Sequence, residues 1–292
     1  MTANLSERAT VPLRTASRPG SRSSRSAASL LAAAAGYAAA FALAYLLFVL
    51  TARGQRLENE VVDRALRDGL STMDWARDLL AAVDAPTLVW GSILAVLLIT
   101  VACRRPAAGV TALLALGGAL AAAYLCKDLL ARPDLDAESS APGHNSFPSG
   151  HVSAAMAGLL AIALVLPRRV RPYLIVPGAL GVAAVASATV ALGWHRPSDA
   201  LGGAMMVAAV CCLAAAVLAG YQGRVPAGRA LTAVALGLAG PAAITVAGYL
   251  ALEAVAPATA VPLAGAATMA VALLTLWQLD RVDQHPEQGE PR

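Results

Sequence analysis

Charge is scarce in this chain and aromatic residues are scarcer: 14% of positions are Asp, Glu, Lys or Arg, and 4% are Phe, Trp or Tyr. A soluble domain carries about 25% charge. With 58% hydrophobic residues and a mean hydropathy of +0.64, the solvent for most of this chain is lipid. Cysteine is sparse too. Cys103, Cys126, Cys211 and Cys212 lie in or beside apolar runs, with no C-x-x-C pair. That excludes a disulfide frame and a zinc knuckle, and leaves small apolar fillers of helix interfaces. The net charge of +4 comes without a basic patch interleaved with aromatics, so nucleic acid is not an expected partner.

Long apolar runs rich in Ala, Leu, Val and Gly fill the rest, as close helix packing in a bilayer favours. Eight spans are expected, at about 28–51, 85–103, 107–126, 152–167, 173–193, 200–221, 230–252 and 257–277. The fourth is short and would need the helical turn begun at Ser149. Residues 1–27 read as a disordered basic tail, because five arginines there face one acid, Glu7. The stretch 52–84 is the one long charged segment. Leu57, Val61, Val62, Ala65, Leu66 and Leu70 recur in it at helical spacing, so it reads as an amphipathic helix on the membrane surface or over the site. The domains expected are a tail (1–27), a membrane core (28–221), two further spans (222–277) and a second tail (278–292). With the N-terminus inside, the arginine tail, Arg104–Arg105, Arg168, Arg169, Arg171, Arg224 and Arg229 fall on the cytoplasmic side. Both termini are then cytoplasmic in a multi-pass cell-membrane protein.

On that topology three polar islands share the outer face: K-D-L-L-A-R-P at 127–133, S-F-P-S-G-H at 146–151 and W-H-R-P-S-D at 194–199. In the second island, Ser149 is a natural N-cap and Gly150 admits close backbone approach. A helix start there offers free N–H groups to an anion, with His151 placed to give a proton to a leaving oxygen. Read alone, the same tetrapeptide is equally a capped helix start with a surface histidine. In the third, the spacing of His195 and Asp199 lets the carboxylate hold one imidazole nitrogen and free the other to attack phosphorus. Lys127, Arg132 and Arg196 are candidate cations for phosphate oxygens, although interfacial cations also snorkel.

These islands, in order and spacing, resemble the three signatures of the type 2 phosphatidic acid phosphatase superfamily. Its members include lipid phosphate phosphatases, polyprenyl-diphosphate phosphatases, bacterial acid phosphatases and vanadium haloperoxidases. The resemblance implies an all-α polytopic bundle, with a six-helix phosphatase core and two extra C-terminal spans. It places the nucleophile on His195, its carboxylate partner on Asp199 and the leaving-group acid on His151. Phosphate contacts fall on Lys127, Ser149 and Gly150, with Arg132 and Arg196 as further candidates, and neither metal nor cofactor is implied. The expected activity is phosphate removal from a lipid phosphate or polyprenyl diphosphate at the outer leaflet through a phosphohistidine. Peroxidation is disfavoured by a site facing a bilayer. Two departures stand out. Asp134 occupies the arginine position of the first signature, and Ala188–Thr189 replace the Ser-Arg that opens the third. Their loss favours the alternative of a degenerate member that binds phospholipid headgroups without turnover.

Overall fold

The computed structural model describes residues 20–68, 73–141, 144–222 and 230–282. Among them there is no strand. Ten helices form an all-α bundle: α1 (Gly20–Ala44, continued by a π-helical turn, Tyr45–Val49), α2 (Ala52–Asp68), α3 (Asp74–Ala82), α4 (Ala85–Ala102), α5 (Pro106–Leu129), α6 (Gly150–Val165), α7 (Arg171–Ala191), α8 (Pro197–Gln222), α9 (Ala230–Ala254) and α10 (Ala260–Val282). Seven of them, α1, α4, α5 and α7 to α10, are long and apolar enough to cross a membrane. The chain is therefore a multi-pass membrane protein.

The shortest expected span, α6, has 16 residues and starts at Gly150 on the Ser149 cap. At 1.5 Å per residue that is about 24 Å, short of a ~30 Å hydrocarbon core. Its setting explains the length. Twelve of its residues are buried, and α4, α5, α7 and α8 surround it. A helix apolar all round belongs inside a bundle, where bilayer thickness does not dictate its extent.

Several boundaries differ from the sequence reading. Helix α1 begins at Gly20, inside the expected tail, of which 1–19 lie outside the described residues. Loop arginines Arg224 and Arg229 and the tail from 283 lie outside them too, as does Leu70 of the amphipathic stripe. Helix α8 begins at Pro197 rather than near Ala200, which puts Ser198 and Asp199 in its first turn.

The described residues of 52–84 form two helices, α2 and α3, and α2 turns polar groups inward as well as apolar ones. It buries Gln55, Glu58 and Asn59 beside Val61 and Val62, while Leu66 of the expected stripe is largely exposed. Polar groups can go inside because each finds a partner. Gln55 Nε2 donates to the carbonyls of Val49 (2.7 Å) and Pro133 (2.6 Å), and Leu135 N–H donates to its Oε1 (3.1 Å). Ser139 and Ser140 donate to Asp63. Tyr45 adds a bond to the Ala131 carbonyl. Helix α2 is thus tied to the loop that follows α5.

Two glycines set the chain around the site. Gly193 ends α7 with φ +67°, a left-handed conformation that L side chains resist, and turns the backbone toward His195. Gly202 lets α8 approach the Phe147 ring, which is wedged between α1 and α8 with centroids 5.0 Å from Phe41 and 5.6 Å from Tyr45. A Cβ at Gly202 would clash with that ring. We therefore expect Gly202→Ala to lower Tm by roughly 2–10 °C in detergent, the overpacking cost of a tight core. An unchanged Tm would contradict this close approach.

Candidate active site

The three islands meet, and backbone and side-chain hydrogen bonds lock them together. Asn145 Nδ2 donates to the carbonyls of Lys127 (3.2 Å) and Leu130 (2.8 Å), joining the first island to the loop before the second. Ser149 N–H donates to the Asp199 carbonyl at 2.8 Å, joining the second island to the third. Ser146 Oγ donates to Asp199 Oδ2 at 2.6 Å. The turn after α7 is closed by Trp194 and His195 N–H groups, both donating to the Thr189 carbonyl.

Asp199 is fully buried. Its Oδ2 accepts from Ser146 and from the Arg196 backbone N–H at 2.8 Å, and lies 3.4 Å from His195 Nδ1. That contact turns the Nδ1 edge of His195 inward and leaves Nε2 as its chemically available nitrogen. The His151 and His195 ring centroids are 6.5 Å apart at 66°, and Trp194 flanks His151 at 5.8 Å. The two imidazoles are therefore neighbours at one spot. Lys127, at the end of α5, brings its ammonium to 3.7 Å from where a Gly150 Cβ would stand. A cation therefore rests on the α6 N-terminus, whose unpaired N–H groups and dipole already favour an anion. The arrangement gathers two imidazoles, a buried carboxylate, an ammonium and a helix N-terminus within one small volume.

The remaining expected contacts sit differently. Ser149 is fully buried, and its Oγ accepts from Val152 N–H at 3.4 Å, so its hydroxyl serves as the N-cap. Arg196 is held by protein: Nε donates to Asn59 Oδ1 (2.8 Å) and one terminal nitrogen donates to Ser146 Oγ (3.2 Å). Arg132 lies between two carboxylates, 3.7 Å from Asp199 Oδ1 and 3.8 Å from Glu58 Oε2. Neither of its terminal nitrogens, nor Asp199 Oδ1, has a hydrogen-bond partner. Behind this pair is a polar cavity of about 120 Å³, lined by Arg132, Arg196, Asp134, Asp136, Gln55 and Asn59 among others. Asp134, in the position of a family arginine, lines that cavity, and Thr189 spends its hydroxyl on the Ala186 carbonyl at 2.9 Å.

Sequence reasoning missed Glu58, Asn59, Gln55 and Ser146. Glu58 is fully buried and accepts from Ser198 N–H (2.6 Å) and Ser198 Oγ (2.8 Å). A signal existed: Gln55, Glu58, Asn59 and Val62 follow i, i+3, i+4, i+7 and so share one helical face. Burial pushes the Glu58 carboxyl from 4.5 up to about 7, the Asp199 charge pushes the same way, and Arg132 and Ser198 pull it back. A raised carboxyl pKa means the folded protein holds more protons than the unfolded chain between those values. Its stability therefore falls as pH rises from about 4.5 through 7. We expect Glu58→Gln to have a higher Tm than wild type at pH 8 and the same Tm near pH 5. A difference independent of pH would contradict this.

No curated protein and no solved structure gives a match. Residues 108–224, from α5 through α8, match the family model described as PAP2 superfamily. That interval contains all three islands, with His151 and His195 among its residues. Over these residues the chain is similar to the PAP2 superfamily.

Proposed function

We propose that this protein is an integral membrane phosphatase that removes phosphate from a lipid phosphate or polyprenyl diphosphate at the outer leaflet. The observation that carries the reading is the His151–His195 pair, 6.5 Å apart, with Asp199 behind one ring and Lys127 over the α6 start. Nε2 of His195 attacks phosphorus while Asp199 stabilises the charge growing on the imidazole. The bond from phosphorus to the leaving oxygen breaks, and His151 gives that oxygen its proton. Water then attacks the phosphohistidine, His151 takes the water's proton, and orthophosphate leaves with His195 restored. Lys127 and the N–H groups of Gly150 and His151 oppose the charge on the equatorial oxygens. Arg132 and Arg196 shape the site through Asp199 and Asn59 instead of gripping phosphate. No step uses a metal ion. The clustering of arginines on the other loops supports an extracytoplasmic site with both termini inside. An apolar tail would lie between helices, in a bundle already solvated by lipid.

The absence of the two signature arginines, with Asp134 and Thr189 in their places, favours one second reading, a headgroup-binding member without turnover. Purified protein distinguishes the two. We expect EDTA-insensitive phosphate release from a short-chain phosphatidate or a polyprenyl diphosphate, lowered about 10³-fold or more in His195→Ala and about 10²-fold in His151→Ala. Undiminished release by His195→Ala would refute the mechanism. Lipid binding with no release would establish the second reading.

A further inference from the structure

Glu58 is an acid that no signature of the site asks for, delivered from outside the matched residues by α2. It occupies an expensive position. A buried ion pair replaced by well-packed apolar residues is often neutral or stabilising, and α2 already buries Val61 and Val62 there. Its two contacts both lead to Asp199. By accepting from Ser198 N–H and Oγ it caps the first turn of α8 from another element, one residue ahead of Asp199. By facing Arg132 NH2 it shares the cation whose NH1 faces Asp199 Oδ1. The groups around it are Arg132 from the loop after α5, Asp199 and Ser198 from α8, and Arg196 just before α8.

We propose that Glu58 is a positioning residue for the reaction, acting through Arg132 and the α8 N-terminus to hold Asp199 against His195. The groups form a line: Glu58, Arg132, Asp199, then the imidazole of His195. Without the first carboxylate, Arg132 moves fully onto Asp199 and withdraws that carboxylate from the histidine. Arg132 therefore needs two anions for Asp199 to remain the partner of His195. This inference rests on the phosphatase reading for its kinetic arm only.

The test is a double-mutant cycle of Glu58→Gln and Arg132→Gln, read by Tm at pH 8 and by phosphate release. Glu58→Gln keeps acceptors for Ser198 but loses the charge. It is expected to lower kcat about tenfold with KM within about twofold, and with no loss of Tm. Arg132→Gln leaves two buried carboxylates without their cation. Adding Glu58→Gln to it should raise Tm by at least about 5 °C more than the same change raises wild type. Should Arg132→Gln fail to fold, recovery of folded double variant is the expected result. Additive Tm effects, an unrecovered double variant, or an unchanged kcat in Glu58→Gln would overturn the proposal. If wild type releases no phosphate, the phosphatase reading fails by itself, and the thermal cycle still decides whether Glu58 acts through Arg132.

Discussion

A carboxylate sealed inside a membrane bundle must be answered by hydrogen bonds and opposite charge, and Asp199 is where that demand is greatest. Everything near it is arranged in reply. Ser146 and the Arg196 backbone donate to one oxygen, Arg132 faces the other, and His195 lies alongside. Ser149 N–H takes the carbonyl of the same residue. Meeting that demand draws three loops and α2 together, which is why the site exists as a unit and not as three separate surface turns.

The rest of the bundle lets this polar knot sit at the ends of apolar helices. Small residues bring α6 and α8 close, and Gly203 has the Ser149 carbonyl 2.9 Å from its would-be Cβ. The two helices beyond the matched residues are integral to the packing: α9 lies along α1, and α10 along α7 and α8. Polar groups within that layer also pair, with Thr275 donating to Tyr37 and Cys212 facing Gln278. A bilayer supplies no water for such groups, so helices must satisfy one another.

Much of this was legible beforehand for definite reasons. Apolar runs announce spans because lipid tolerates nothing else, and P-S-G-H announces a capped helix start because Ser149 and Gly150 are what a start requires. The His195–Asp199 spacing announces a contact across a helix start, and Asp199 sits in the first turn of α8 with His195 two residues before that helix. The part that was hidden concerns polar residues with two possible environments. Gln55, Glu58 and Asn59 fall among the polar positions of a helix read as amphipathic, and the face they share with Val62 does not by itself tell water from a buried loop. Arg132 and Arg196 read as candidate cations for phosphate, and a sequence shows a cation without showing which carboxylate or amide lies beside it. The sixth span was expected from about 200, whereas Pro197 opens α8 and carries Asp199 into the first turn.

The central claim is that the imidazole backed by Asp199 is the nucleophile. Incubating purified protein with substrate labelled at phosphorus, quenching in alkali and mapping the label tests it most directly, because a phosphohistidine survives base and is lost in acid. The account predicts an acid-labile label on the peptide containing His195, absent from His195→Ala and built up in His151→Ala. Turnover with no labelled protein, or label on His151, would contradict it.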